Sequence, residues 1–297
     1  MYHTPVLLQE STTGLNIKPE GTYVDLTFGG GGHSREILKH LDRGRLLAFD
    51  QDREAAANLP DDDRITFVNA NFRYLKNFLK LYDALPVDGI LGDLGVSSHQ
   101  FDKAERGFSI RLNAKLDMRM DSRNTLTAWQ VINNYSLIEL TSVLKQYGEI
   151  RNAHRLAKEI IQERKTKAIN TVEDLTGLAG RFARKGSENQ YLAQVFQALR
   201  IEVNKELEAL KSVLKQAPSL LANKGRIAMI SYHSLEDRLV KNFFRSGNFE
   251  GEINKDFYGN VLSPLRPVHN KPLTPSEKEV EQNSRARSAK LRIAEKN

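Results

Sequence analysis

The chain has no cysteine among its 297 residues. Disulfides, thiolate catalysis and cysteine-ligated zinc are therefore excluded. Nothing in it approaches the roughly 18 consecutive apolar residues that a membrane span needs. Its first residues, Met1 to Leu8, lack the basic start and long apolar stretch of a signal peptide. A bacterial-type cytoplasm is the simplest expectation. Internal repeats and low-complexity tracts are also missing. What is present is the composition of an ordinary globular protein, long enough for one large core or two domains. Its net charge of +7 favours a polyanionic partner, although a merely basic enzyme would carry the same excess.

Strand and helix signals alternate through the first hundred residues. Tyr23–Leu26, Arg45–Asp50, Ile65–Val68 and Asp88–Asp93 read as strands. Helices are expected at Ser34–Leu41, Arg53–Leu59 and Tyr74–Tyr82, which predicts a parallel sheet of βαβ units. The next strand pattern is Arg226–Ser231, more than a hundred residues on. Helical patterns fill the gap: Leu126–Asn133 after Thr125, Leu140–Tyr147 behind the Ser136/Glu139 box, and Asn152–Lys165. Another is capped by Thr171 with Asp174, and a long run covers Tyr191–Leu214, with Pro218 stopping or kinking the segment before the fifth strand. Ser234 with Asp237 opens a helix through Phe244; Asn248–Pro275 is loop-like, and Arg285–Ala294 alternates as a closing strand. The pattern predicts an α/β domain, residues 1–105 and 215–297, interrupted by an all-helical insertion at 106–214.

The run Thr22-Tyr-Val-Asp-Leu-Thr-Phe-Gly-Gly-Gly-Gly-His-Ser34 joins the first strand to the first helix through four glycines. Strand, glycine loop and helix N-terminus form the usual seat for a nucleotide-like ligand. Asp50 ends the second strand 18 residues after Gly32, where a carboxylate can accept from both ribose hydroxyls. The dehydrogenase fingerprint is incomplete, since Ser34 occupies the place of its third glycine. The glycines alone permit either a nicotinamide dinucleotide or S-adenosylmethionine. Asp93 ends the fourth strand, beside the glycine loop at the switch point of such a sheet. It can bind a ligand amine or orient a nucleophilic one; capping a loop is the plainer role.

Three further groups invite a substrate reading. Lys103, Arg106, Arg111, Lys115, Arg119 and Arg123 are interleaved with Phe101 and Phe108, a mixture suited to phosphates and an unstacked base. Asp102, Glu105, Asp117 and Asp121 would equally pair those cations in a structural network. Arg285, Arg287, Lys290 and Arg292 form a second cluster, and His233 either faces a base or packs a turn. No metal-ligand spacing surrounds His233. For Asn152–Lys165 a solvated helix face is the better reading.

Eight blocks, in order, carry a resemblance. They are His3-Thr-Pro-Val-Leu-Leu, Asp25-Leu-Thr-Phe-Gly-Gly-Gly-Gly-His-Ser34, Asp93-Leu-Gly-Val-Ser-Ser98 and Glu105-Arg-Gly-Phe-Ser109. Leu116-Asp-Met-Arg-Met120, Phe196-Gln-Ala-Leu-Arg-Ile201, His233-Ser-Leu-Glu-Asp-Arg238 and Ser284-Arg-Ala-Arg-Ser288 complete the series. Together they resemble the bacterial RsmH (MraW) family of S-adenosylmethionine-dependent methyltransferases. That resemblance implies a Rossmann-like class I methyltransferase core with an inserted all-helical, substrate-recognising domain. It implies methylation of the N4 amine of a cytidine in the decoding region of 16S rRNA, with the small ribosomal subunit as partner and no membrane; a homodimer is left open. By position it assigns Gly31, Gly32, His33, Asp50, Phe72, Asp93 and Gln100 to the cofactor, with Asp93 also orienting the amine. It favours RNA contacts by Arg106, Phe108, Arg119, His233, Arg285 and Arg287, and no metal. One departure from other amino-methyltransferases stands out. Many carry Asp/Asn-Pro-Pro-aromatic at this strand end, whereas here the run is Asp93-Leu-Gly-Val. That departure disfavours a DNA cytosine-N4 methyltransferase, the missing third glycine a dehydrogenase, and the intact pocket residues a non-catalytic RNA-binding factor.

Overall fold

In the computed structural model, which describes residues 5–297, the strand signals resolve into one seven-stranded sheet. The block beginning at His3 therefore lies partly outside the described residues. The chain enters through α1 (Leu8–Leu15), an element that no periodicity announced. β1 (Thr22–Asp25), α2 (Gly32–His40), β2 (Arg45–Phe49), β3 (Ile65–Val68), α3 (Leu75–Leu81) and β4 (Val87–Asp93) stand close to the expected places. Arg53–Asn58, expected as an α-helix, is a 3₁₀ turn. Of its side chains only Ala55 is buried, so no apolar stripe anchors a longer helix.

By compactness the chain divides into residues 1–95 with 207–297, and residues 96–206. The second unit is helical: α4 (Ser98–Asp102), α5 (Ala128–Asn134), α6 (Leu137–Gln146), α7 (Ala153–Thr166), α8 (Val172–Gly180) and α9 (Glu188–Asn204). The Ser136/Glu139 and Thr171/Asp174 boxes form as the sequence suggests. Thr127, not Thr125, caps α5, because Gln130 three residues on closes the box by accepting the Thr127 N–H at 2.7 Å. Leu140, Leu144, Leu156, Ile160, Leu175 and Leu199 stand in this unit's own core.

The helical run expected to continue to Leu214 breaks at Lys205, which adopts left-handed φ of 51°. α10 (Glu206–Leu220) comes next, carrying Pro218 inside it to within two residues of its end. Its Leu210, Val213, Leu214 and Ala217 bury with sheet residues Val24, Leu47 and Ile227. This packing moves the helix into the sheet unit, and the boundary from the expected 214/215 to 206/207. At the other end, residues 96–105 group with the helical unit, where Val96 and Phe101 pack on its core.

β5 (Leu221–Ser231), α11 (Ser234–Ser246), β6 (Leu265–Pro267), α12 (Glu277–Gln282) and β7 (Lys290–Lys296) complete the sheet unit. The order is β3-β2-β1-β4-β5-β7-β6; β1 to β5 pair in parallel, while β7 runs antiparallel to β5 and to β6. The closing strand starts five residues later than the alternation suggested, because Ser284–Ser288 wind into a 3₁₀ turn. Neighbouring strand residues face opposite layers. Leu47 and Ile90 enter one core, and Leu46 and Leu91 the other. Among the described residues no helix is long and apolar enough to cross a membrane.

Candidate active site

The parallel strands end on one edge, and three of them end in a carboxylate. Asp25 closes β1, Asp50 comes directly after β2 and Asp93 closes β4. Between β1 and α2 the glycine loop is pinned from both sides. Asp25 accepts the Thr27 N–H at 3.0 Å and the Ser34 hydroxyl at 2.7 Å. The Gly29 N–H donates to Asp50 Oδ2 at 2.8 Å, while the Asn58 amide donates to the Gly29 carbonyl at 2.9 Å. Arg35 donates to the Gly30 carbonyl and the Asn58 carbonyl, both at 2.6 Å. Gly31 begins α2 from a φ of +74°, with the Phe28 ring 2.8 Å from where a Cβ would stand. A Cβ on Gly32 would collide with the Pro5 ring.

Asp93 is the most elaborately held of the three acids. Its N–H donates to Thr27 Oγ1 at 2.7 Å, and its Oδ1 accepts the Tyr232 phenol at 2.7 Å. Its Oδ2 lies 3.9 Å from Nδ1 of His33, whose Nε2 is 3.1 Å from the Val6 carbonyl. Burial pushes the Asp93 carboxyl up to about 6; His33 and the Tyr232 hydrogen bond pull against that rise, and Asp25 and Glu236 reinforce it. Asp50 is likewise pushed up to about 6 by burial, against the Asp52 and Gly29 N–H groups that it accepts. Burial also raises Asp25. Among the described residues no lysine or arginine pairs with Asp25, Asp50 or Asp93. Tyr232 and Glu236 are further neighbours of Asp93; Glu236 stands within the His233–Arg238 block and Tyr232 just before it. The signal for Tyr232 is its place directly after β5, one strand over from Asp93.

The remaining sequence candidates fall into different surroundings. Phe72 is half-buried just beyond β3, at the same strand edge, capped into place by Asn71. Gln100 belongs to the helical unit, where its side chain accepts the Ser97 N–H at 3.1 Å in the capping box of α4. Phe108 is a correction: it is 4% exposed inside the helical core and offers no face to a base. Arg119 and Arg106 are corrected too. Arg119 forks onto Asp117 at 2.9 and 2.7 Å and donates to the Ser122 and Asn124 carbonyls, while Arg106 holds the Arg119 and Met120 carbonyls. With Arg123 on Asp121, Arg119 and Arg123 sit in the structural network that the segment's acids allowed. His233 caps α11, its Nδ1 accepting the Glu236 N–H at 3.4 Å and its Nε2 3.2 Å from the Glu236 carboxylate. That geometry favours the packed-turn reading. In the second basic cluster Lys290 and Arg292 pair with Asp237, whereas Arg285 and Arg287 are exposed on the 3₁₀ turn.

A family model described as the MraW methylase family matches residues 1–297. The chain belongs to that family. The ribosomal RNA small subunit methyltransferase H of Cytophaga hutchinsonii is 57% identical over 298 residues, covering 100% of both proteins. The protein of the same name from Christiangramia forsetii is 55% identical over 296 residues, covering 99% of this chain and 98% of its own. The sheet order with its antiparallel β7 is the Rossmann-like class I methyltransferase core, interrupted by a helical domain. The cofactor of that core is S-adenosyl-L-methionine, which bears a sulfonium, an ammonium and a ribose diol. The strand-end residues fit such a group. Carboxylates that no described lysine or arginine pairs suit its two positive charges, while Arg35 beside the glycine loop is engaged by the Gly30 and Asn58 carbonyls.

Proposed function

We propose that this protein methylates the exocyclic N4 amine of a cytidine in the decoding region of 16S rRNA, using S-adenosyl-L-methionine. The reading rests chiefly on one observation. In a chain of net charge +7, no described lysine or arginine pairs with the three strand-end acids, an acidic edge on a cationic protein. Such an edge suits a cationic methyl donor, and such a protein suits an RNA substrate. The names of the full-length relatives support rRNA of the small subunit as that substrate. On this reading the protein works in the cytoplasm, and residues 96–206 form the substrate-recognition domain.

When bound, the donor supplies an electrophilic methyl group whose transfer breaks a sulfur–carbon bond and forms a nitrogen–carbon bond. The residues of the sheet unit assigned to hold it are Gly31, Gly32 and His33 along the loop, Asp50 at the ribose, and Phe72 at the adenine end. The cytosine amine is a weak nucleophile because its lone pair is delocalised into the ring. Asp93 is assigned to accept one amine N–H, turning the remaining lone-pair density toward the methyl. Positioning of this kind supplies rate without a strong base, and the amine proton released afterwards goes to solvent. Tyr232 fixes the carboxylate in that orientation.

The test is transfer of labelled methyl from S-adenosylmethionine to 16S rRNA or small subunits, followed by mass mapping of the product nucleotide. N4-methylcytidine is expected, and Asp93→Ala should abolish it. Failure to bind S-adenosylmethionine by calorimetry would sink the reading.

A further inference from the structure

We propose that the outer face of α7, with the α8–α9 connection beside it, is a ridge that grips the phosphates of a double-helical part of the RNA substrate. This rests on the rRNA reading above, and it uses none of the residues assigned there to the cofactor or the amine. On α7 and its entry, Arg151, His154, Arg155, Lys158 and Lys165 are all exposed. Their three-, four- and seven-residue spacings put them on one helical face, and the residue interrupting the row there is the neutral Gln162. Glu159, four residues after Arg155, borders the row, and Glu163 lies further round the helix.

By sequence alone this is a solvated face, because its neighbours are not visible there. Packing supplies them. Arg155 lies over the Phe182 ring at 5.4 Å, and the Asn152 amide donates to the Phe182 carbonyl at 3.1 Å. Tyr191 holds the same asparagine through a 2.8 Å hydrogen bond to its Oδ1. These contacts bring the connection after α8, with exposed Arg181, Arg184 and Lys185, against the basic face of α7. Among the described residues no carboxylate pairs with Arg151, Lys158, Arg181, Arg184 or Lys185. Cations left unpaired on adjoining elements concentrate positive potential there.

The chemistry selects phosphate over bases. The Phe182 ring is covered by a guanidinium and the Tyr191 hydroxyl is engaged, so no aromatic face is offered for stacking. Duplex RNA is bound mainly through its backbone, which suits a row of exposed cations. A membrane would demand apolar side chains beside the cations, and the α7 face presents none.

The experiment compares the full-length protein with Lys158→Glu/Arg184→Glu. Salt-titrated binding to protein-free 16S rRNA and methyl transfer to small subunits are both measured. The proposal expects at least a tenfold loss of RNA affinity and a salt slope shallower by about two, since each lost phosphate contact contributes about 0.9. KM should rise with kcat held within about twofold, and Lys158→Arg/Arg184→Lys should retain wild-type binding. Calorimetric affinity for S-adenosylmethionine is expected unchanged, which reports an intact fold. Wild-type KM and salt slope in the charge-reversed protein would overturn the ridge. So would a defect on subunits with none on protein-free RNA, since the cations would then meet protein. If the unmodified protein transfers no methyl to any RNA, it is the rRNA reading that fails.

Discussion

The phenol of Tyr232 donates to Asp93 Oδ1 across 2.7 Å, tying the residue after β5 to the last residue of β4. One carboxylate oxygen is thereby fixed, and the other is left to Nδ1 of His33 at 3.9 Å. An acid held this way has one preferred direction in which to accept a further hydrogen bond. Tyr232→Phe removes the tether while keeping the ring. We expect kcat to fall by about 10- to 100-fold with the Kd for S-adenosylmethionine changed far less, consistent with the loss of one charge-assisted hydrogen bond. Single-turnover methyl transfer alongside calorimetry separates the two. Equal losses in both would show that Tyr232 serves only the pocket's stability.

Asp50 has two duties, since it accepts the Gly29 and Asp52 N–H groups and is assigned to the ribose diol. Asp50→Ala should weaken S-adenosylmethionine by at least tenfold, the scale of a hydrogen bond to a charged group. Adenosine, which shares the diol, should lose as much. An analogue lacking the 2′-hydroxyl should lose less. Uniform losses across all three ligands would place the effect in the loop and not at the ribose.

Gly31 takes φ of +74° with the Phe28 ring 2.8 Å from the missing Cβ. Gly31→Ala combines a strained backbone with a steric conflict, costing about 1–3 kcal/mol at the loop. Cofactor affinity should fall accordingly, and the melting temperature of the ligand-free protein should drop by a few degrees. Unchanged calorimetric titrations would refute a cofactor role for this turn.

The raised Asp93 carboxyl makes a pH prediction of definite sign. Its folded-state pKa is lifted from 3.8 to about 6, so the folded protein binds the proton more tightly than the unfolded chain. The associated stability is present below the ordinary carboxylate range and is lost as pH rises through about 6. Asp93→Asn, which cannot ionise, should therefore gain on the unsubstituted protein between pH 4 and pH 7, by on the order of 1 kcal/mol. Urea unfolding of both ligand-free proteins across that range gives the difference. A gap that stays constant with pH would contradict the shift.

In the helical unit, Asn204 is 4% exposed and holds a loop by two hydrogen bonds, with a third back to its own helix. Its Oδ1 accepts the Met120 N–H at 2.7 Å, and its amide donates to the Met118 and Arg200 carbonyls at 2.8 and 2.9 Å. Met118 itself sits at a positive φ of 59°. Asn204→Leu strands those buried backbone groups and should cost about 2–4 kcal/mol. Denaturant unfolding measures it; a loss under 1 kcal/mol would mean that the loop finds other partners.

Local chemistry alone determined much of this protein. Short, continuous apolar runs ending in Asp25, Asp50 and Asp93 marked the strands and their C-terminal edge. Four glycines marked the loop, and paired caps such as Ser136 with Glu139 marked helices, because each signal acts within a few residues. Tertiary structure decided what depended on partners distant along the chain. Tyr232 meets Asp93 only because β5 lies beside β4, and Phe108 is lost to the core only because several helices close over it. Arg292 carries the same charge as Arg184, yet Asp237, far away along the chain, claims the first while no described carboxylate pairs with the second. Charge is written in the sequence, but whether a neighbour neutralises it is settled by the fold.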